Sequence, residues 1–438
     1  MVNGGKSRSS RGGHSVVAAT SGMALWFAAF AKAQDFEGQL YPPMNAPLEL
    51  LFAQGRNLSL GAMFIAIVVT LMLGKGIRRR DWRNASMYIA AVNVFIIFKL
   101  FLYGNSEIFI LGSFAIAIQI LVFVVCASRY ERESFEGSNL MPYVVKVIYI
   151  FSILFLSCNV YAYIYFPGSS AVKFSARFFG VTANPQHLAM VCALCVPALL
   201  YCVVHYGVKS IVGVSAGVML ACVLFLEYQS GSRLGFFGTL LCIIMGSRVF
   251  LDRRRIVYVL ILSVLALPLV YFSFYDSISD LIRSRFVEGR SDTRSEYWVA
   301  GWNQFLQSPF VGSEPSEEPA RYYFTVSSWI SAASSGGVIA LVFLLMFLIS
   351  SIGYFFKLTR LRDRRFDTEH VDLYLSAIVL ILAISVFEAV FLGVFSSHTM
   401  MVYLYIAGAG SLAGAKRFLS APHYKFYGAS GLGVRHLR

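Results

Sequence analysis

Long apolar runs recur along nearly the whole chain, and they constrain its fold more than any other feature. The 438 residues are 57% hydrophobic and only 14% charged, whereas about 25% of the residues in an average soluble protein carry a charge. Apolar runs of about 18 or more residues can cross a hydrocarbon core of about 30 Å as helices. The sequence therefore predicts an all-α, polytopic transmembrane bundle of about twelve helices. The apolar segments are residues 16–33, 57–74, 85–103, 108–127, 142–166, 187–204, 211–228, 234–251, 256–274, 326–350, 371–394 and 398–415.

The first apolar run allows two interpretations. Basic residues precede it between positions 6 and 11, and it ends in Ala-Lys-Ala at positions 31–33. A basic start, an apolar centre and an A-x-A ending are typical of a secretory signal peptide. The same run is also long enough to stay attached as the first membrane helix. Both interpretations of residues 1–34 put Asp35 outside the cytoplasm.

The distribution of lysine and arginine predicts the orientation of the bundle. If the N-terminus is cytoplasmic, the basic clusters at 78–83, 253–255, 357–365 and 416–438 all fall on the cytoplasmic side. The reverse orientation would violate the positive-inside rule at nearly every loop. The sequence thus predicts cytoplasmic N- and C-termini. The net charge of +14 follows from this topology, so it does not call for nucleic acid as a partner.

This topology leaves one long hydrophilic interval, a loop outside the cytoplasm before the tenth apolar segment. Arginines are not needed there for orientation, so we expect them to bind an anionic group. These arginines are Arg283, Arg285, Arg290, Arg294 and Arg321. The chain then divides into an N-terminal segment (1–34), a first part of the bundle (35–274), the large loop (275–325), a second part of the bundle (326–415) and a basic cytoplasmic tail (416–438).

The seven cysteines give no sign of metal or redox chemistry. All lie within or at the ends of apolar segments, and the C-x-x-C pair Cys192 and Cys195 falls inside a predicted membrane helix. Such cysteines are expected to be small packing residues. No cluster of Asp, Glu or His outside the cytoplasm has the spacing of metal ligands. The sequence therefore predicts neither a metal nor another cofactor.

A first short polar segment lies between the fifth and sixth apolar segments. It contains Arg177 and Gly180, followed by Asn184, Pro185 and His187. The glycine and the proline interrupt regular structure, so the arginine and the histidine are held at the edge of the hydrocarbon layer. The segment is either a solvated loop with an interfacial anchor or part of a binding site.

A second short connection puts Arg233 at the rim of the membrane. The residues Glu227 to Arg233 join two long apolar segments with almost no spare length. A cation at this depth costs a few kcal/mol unless it is paired or hydrated. Arg233 is therefore either the partner of Glu227 or a group that points into a polar cavity. A guanidinium suits phosphate because its planar fork donates two parallel hydrogen bonds.

The large loop carries the signature of a short amphipathic helix. Thr293 and Glu296 match a capping box, which starts a helix near Arg294, and Pro309 ends it. Arg290 and Arg294 mark the N-terminal end, where free N–H groups also favour an anion. The helix either forms part of a site or only plugs the bundle. Its aromatic residues fall on one face at helical spacing, and they are Trp298, Trp302 and Phe305.

Four motifs in this order resemble those of the O-antigen ligase and polysaccharide polymerase superfamily of bacterial inner membranes. Together with the twelve-helix topology and the large periplasmic loop, the resemblance covers about residues 50–415. The motifs are Arg177…Gly180…Asn184-Pro185, then Ser230-Gly231-Ser232-Arg233, then Arg290/Arg294…Trp298…Ser308-Pro309…Gly312, and finally Ser335-Gly336-Gly337.

The resemblance implies a metal-independent glycosyl transfer on the periplasmic face of the inner membrane. The donor would be an oligosaccharide on undecaprenyl pyrophosphate, and the surroundings would include membrane lipid and a chain-length regulator and flippase of the same pathway. Arg233, Arg290 and Arg294 would bind the pyrophosphate and stabilise the leaving group, and His187 is a candidate general base. The expected substrate contacts are Arg177, Asn184, Ser232, Trp298, Trp302 and Arg321.

One departure from the family concerns the general base. Ligases of this family have a histidine just before the tenth helix, but the corresponding position here is near Thr325 and no histidine lies close to it. The family also has an acidic residue two positions before the glycine that corresponds to Gly336, and here that position is Ser334. This favours a polymerase of exopolysaccharide, capsule or O-antigen repeat units over a ligase that transfers glycan to lipid A core or protein. The remaining candidates for the base are His187, Glu314, Glu317 and His398.

A membrane transporter or flippase of lipid-linked glycan is the non-enzyme alternative. Transporters place charges near the middle of the bilayer, and the apolar segments here contain Lys99, Lys146 and Glu388. Glu388 has no partner nearby in the sequence. A transporter predicts a cavity that reaches Glu388 from both sides, whereas an enzyme predicts that Arg177, Arg233 and Arg290 converge at the outer side.

Overall fold

The computed structural model describes a helical protein. The described residues are 6–33, 48–73, 81–103, 106–135, 141–167, 177–182, 184–246, 293–313, 327–363, 368–393 and 395–414. The helices are α1 (Lys6–Ala33), α2 (Leu48–Met72), α3 (Ser86–Leu102), α4 (Ser106–Gln119), α5 (Cys126–Phe135), α6 (Tyr143–Tyr165), α7 (Pro185–Tyr206), α8 (Ile211–Ser230), α9 (Arg233–Gly246), α10 (Thr293–Gln307), α11 (Ser328–Asp363), α12 (Thr368–Phe387) and α13 (Ser397–Ala413). A π-helical turn, Ile120–Val125, joins α4 and α5.

The described helices confirm the predicted all-α, polytopic membrane bundle. Among the described residues, eight spans are long and apolar enough to cross a bilayer, and the shorter helices α3 and α9 are also apolar. Large apolar side chains such as Met72 and Ile349 are 81% and 68% exposed, as expected for surfaces that face lipid. The predicted ninth apolar segment, residues 256–274, lies outside the described residues.

Small residues bring the central helices close together. Gly235 on α9 lies against Ala189 on α7, and Gly55 on α2 lies against the backbone of α1 at Ala31. Close backbone contact through small residues is a common way to pack helices in membranes. The cysteines serve the same packing, since all seven are free and those of α7 are buried.

Two predicted helix ends differ from the structure because local backbone breaks were not visible in the apolar pattern. The eleventh segment was predicted to continue to residue 394, but α12 ends at Phe387. The tenth segment continues to Asp363 and is interrupted at Gly337, whose φ of 60° and ψ of −154° are not helical. This backbone conformation is accessible almost only to glycine.

Lys99 on α3 stabilises the break in α11. Its ammonium group donates to the carbonyl of Ser335 at 2.7 Å, and to those of Val311 and Ser313 at 2.7 and 2.8 Å. Carbonyls at the end of a helix have no partner within the helix, and a cation is favourable there. The backbone of Ser313 also donates to Ser334, and that of Val338 donates to Pro309. The loop after α10 and the Gly-Gly break of α11 are thus one interlocked unit.

We expect the substitution Lys99→Met to destabilise the fold by about 3 kcal/mol, because it leaves buried carbonyls without a charged donor. The measurement is the free energy of unfolding in detergent. Lys146→Met is the matched control, since Lys146 is only partly buried and its ammonium group donates to the Ser15 hydroxyl. Equal effects of the two substitutions would contradict this role of Lys99.

Candidate functional site

The candidate site lies at one end of the bundle, which we call the arginine end. It is the end where α8 and α12 finish and where α7, α9, α10, α11 and α13 begin. Hydrogen bonds connect these helix ends directly. Arg177 donates through Nε to the carbonyl of Ser230 at 2.7 Å, and the Ser328 backbone donates to the carbonyl of Glu388 at 3.1 Å.

Arg177 is held by a short non-helical segment, residues 177–182. The backbone of Phe178 donates to the carbonyl of Gln229 at 3.1 Å, and that of Val181 donates to Oδ1 of Asn159 at 3.1 Å. Gly180 has a φ of 57°, and a side chain at this position would overlap the same Asn159 oxygen. Glycine is therefore needed here to keep the segment, and with it Arg177, against α6 and α8.

Asn184 and His187 form the start of α7. The side chain of Asn184 accepts a hydrogen bond from the His187 backbone at 2.8 Å, with Pro185 at the first helical position. This is the expected N-cap arrangement, so Asn184 has a structural role whether or not it contacts substrate. The ring of His187 lies 5.6 Å from that of His398, between centroids.

Arg233 is exposed at the start of α9, directly after the turn that ends α8. Ser232 is buried, and its hydroxyl accepts from the Gly235 backbone at 3.4 Å, so it helps to cap the helix. The Thr239 hydroxyl donates to Glu227 at 2.7 Å. No ion pair within the described ranges joins Glu227 to Arg233. The structure therefore does not support the interpretation of Arg233 as the partner of Glu227.

Arg294 at the start of α10 pairs with Glu388 at the end of α12. The distance from Nη2 of Arg294 to Oε1 of Glu388 is 2.7 Å, and the side chains are 33% and 5% exposed. Burial raises the pKa of the Glu388 carboxyl to about 8, while the positive charges of Arg294 and Arg177 oppose that rise. Two arginines that are distant in sequence therefore act on one buried carboxylate.

The amphipathic helix predicted in the large loop is confirmed as α10, Thr293–Gln307. Its aromatic residues do not share one environment. The ring of Trp298 stacks near Phe387, with 6.1 Å between centroids, next to the Arg294–Glu388 pair. Phe305 is buried, whereas Trp302 is 50% exposed. Trp298 is thus an aromatic residue of α10 that lies beside the site.

Several predicted site residues lie outside the described residues. These are Arg290, Arg321, Glu314 and Glu317, and their roles stay predictions. Glu388 was noted in the sequence only as an isolated charge, because its partner Arg294 comes from a different part of the chain. The sequence signal that could have indicated this pair was a single carboxylate in an apolar segment together with an arginine at the start of a predicted loop helix.

The opposite end of the bundle contains ion pairs of a structural kind. His205 lies 2.6 Å from Glu369, and Arg362 lies 2.7 Å from Asp372. A small depression beside these pairs is lined mostly by residues of α7 and α12, including Tyr201. It is far along both helices from Arg177 and Glu388, so it is not part of the candidate site. No group of three possible metal ligands occurs among the described residues.

Comparisons with known proteins do not assign the chain to a family. No family model matches the chain, and no curated protein sequence matches it. The resemblance therefore depends on the four sequence motifs.

We expect Gly180→Ala to destabilise the protein by about 1–3 kcal/mol more than Gly217→Ala does. Gly217 lies inside α8 with open space around an added methyl group, whereas at Gly180, which has a φ of 57°, the methyl group overlaps Oδ1 of Asn159. The measurement is the unfolding free energy of both variants in detergent. If the two variants are equally stable, the conformation of Gly180 does not fix the segment that holds Arg177.

Proposed function

We propose that this protein is a glycosyltransferase of the bacterial inner membrane that polymerises repeat units from undecaprenyl-pyrophosphate-linked donors. The single observation that carries the proposal is the convergence of Arg177 and Arg294 on one buried carboxylate, Glu388, at the end that also exposes Arg233. The positive-inside rule supports a periplasmic location for this arginine end and a cytoplasmic location for both termini.

The arginine end suits a pyrophosphate for two physical reasons. Guanidinium groups bind phosphate oxygens in a bidentate way. The N-termini of α7, α9, α10, α11 and α13 also lie at this end, so the positive ends of their helix dipoles point toward it. Cationic side chains and helix ends therefore favour the same anionic ligand.

This electrostatic arrangement would act on the bond that breaks. In the proposed reaction, an acceptor hydroxyl attacks the anomeric carbon of the donor sugar. The bond from that carbon to the pyrophosphate oxygen breaks, and undecaprenyl pyrophosphate leaves with the electron pair. Positive groups that are already in place stabilise this developing negative charge without reorganisation. The ring of Trp298, beside Phe387, provides an apolar surface for a sugar.

The position of Glu388 supports an enzyme more than a transporter. The transporter interpretation required an isolated charge deep within the bundle that could be reached from both sides. Glu388 instead follows the last residue of α12 and is paired with Arg294. The absence of the histidine expected of ligases near Thr325 favours a polymerase over a ligase.

We expect the purified protein to elongate an undecaprenyl-pyrophosphate-linked glycan in excess EDTA, because arginines take the role that a divalent ion has in other transferases. The products are separated by chain length, and released undecaprenyl pyrophosphate is measured. A strict requirement for Mg²⁺ or Mn²⁺ would contradict the arginine mechanism. Transfer to lipid A core without elongation would change the assignment from polymerase to ligase.

Arg233→Ala should lower the rate of elongation by about 100-fold or more, as expected for the loss of one charged group that stabilises the leaving group. Arg233→Lys should also be impaired, because lysine lacks the bidentate fork. Both rates are measured at equal amounts of inserted protein.

Arg362→Ala is the control for this prediction, since Arg362 pairs with Asp372 at the opposite end. Full activity of Arg233→Ala would show that Arg233 is not part of the site.

A further inference from the structure

The general base is the part of the proposed reaction that the sequence motifs leave open. Two of the candidates, His187 and His398, lie within the described residues. His187 starts α7, and His398 is 3% exposed with its ring bound to the Ser396 hydroxyl at 2.6 Å. Glu388 is the carboxylate on which Arg294 and Arg177 act together.

The backbone of Glu388 is held from both sides. Its N–H donates to the carbonyl of Ile384 at 2.9 Å, and its own carbonyl accepts from the backbone and the hydroxyl of Ser328 at 3.1 and 2.9 Å. A group that is fixed in this way loses little entropy when it reacts, which is a requirement for a precise site.

The two carboxylate oxygens of Glu388 differ in their surroundings. Oε1 accepts from Nη2 of Arg294 at 2.7 Å, and the closest approach of this ion pair is at that oxygen and not at Oε2. One oxygen is therefore anchored by a guanidinium and the other can accept a proton. A base that is oriented by a third group is the usual arrangement in enzymes that activate a hydroxyl.

We infer that Glu388 is the general base that deprotonates the acceptor hydroxyl, with Arg294 as the residue that positions it. The inference rests on the proposed glycosyl transfer. Oε2 takes the proton as the acceptor oxygen forms its bond to the anomeric carbon. The bond to the pyrophosphate breaks at the same carbon, and the leaving group keeps the electron pair. The proton then passes from Glu388 to water, which restores the carboxylate.

Charge explains why the base would become stronger when the donor binds. Burial raises the pKa of Glu388, and the positive charges of Arg294 and Arg177 lower it. A bound pyrophosphate offsets those positive charges, so the pKa of Glu388 rises further in the complex. The ionised carboxylate is then a stronger base, but a smaller fraction of it is ionised at neutral pH, so the rate should be highest at alkaline pH.

The test compares Glu388→Gln with Glu369→Gln in the full-length protein in detergent or nanodiscs. Glutamine keeps an oxygen that can accept from Arg294 but cannot take up a proton at neutral pH. For Glu388→Gln we expect kcat to fall by about 100-fold or more. The Kd for an undecaprenyl-pyrophosphate disaccharide should stay within about threefold, since the arginines are retained. Glu369 pairs with His205 at the opposite end of α12, so its variant should keep the wild-type rate.

A second variant separates a base from a residue that only positions Arg294. In Glu388→Ala, added formate can occupy the vacated space and accept the proton, so we expect it to restore elongation by about tenfold or more. Restored elongation supports the inference. Loss of donor binding in Glu388→Gln together with no effect of formate on Glu388→Ala would overturn it and assign Glu388 a positioning role.

The wild-type pH profile keeps the inference testable if the variants do not insert. The charged groups that act on Glu388 are Arg294 of α10 and Arg177 of the segment before α7. Because only the ionised carboxylate can act as a base, kcat should rise with pH and then level off. A kcat that is constant from pH 5 to 8 would overturn the inference, as would elongation by Glu388→Gln within about threefold of wild type. If the wild-type protein does not elongate the donor at all, the proposed function fails as well, so the two failures are distinguishable.

Discussion

Backbone polar groups must find partners inside the protein when they lie in an apolar bundle, and the breaks in this fold depend on that constraint. Irregular backbone is tolerated in membrane proteins only where protein or water satisfies it. At the Gly337 break, Lys99 supplies the donor to three carbonyls. After α12, the side-chain amide of Asn93 donates to the carbonyl of Phe391 and accepts from the backbone of Gly393.

These satisfied breaks create the arginine end. Because α12 stops at Phe387, the carboxylate of Glu388 projects from a helix end instead of from the middle of an apolar face. Because α11 begins at Ser328 with hydrogen bonds to the Glu388 carbonyl, the two helix ends are fixed to each other. The ion pair with Arg294 then ties α10 to both. The chemistry proposed for this end thus depends on hydrogen bonds between uncharged groups, which no sequence motif indicates.

Local patterns in the sequence were sufficient to predict the helices whose positions depend on residues close together in the chain. The capping box at Thr293 and Glu296 and the stop at Pro309 predicted α10 closely, and apolar length predicted the membrane helices. The end of α12 was predicted wrongly because residues 388–394 are mostly apolar and continue the pattern. The Arg294–Glu388 and Lys99 contacts could not be predicted, since their partners are 94 and more than 200 residues apart.

The break at Gly337 also divides α11 into pieces of very different length. The first piece, Ser328 to Gly336, is about 13 Å long at 1.5 Å per residue, so it cannot cross a bilayer by itself. The second piece, Val338 to Asp363, is about 39 Å long and can. The short piece is joined at one end to Glu388 and at the other, through Ser334 and Ser335, to the loop after α10 and to Lys99. It therefore acts as a strut, so any movement of α10 must be shared with α3 and α12 and is a collective motion.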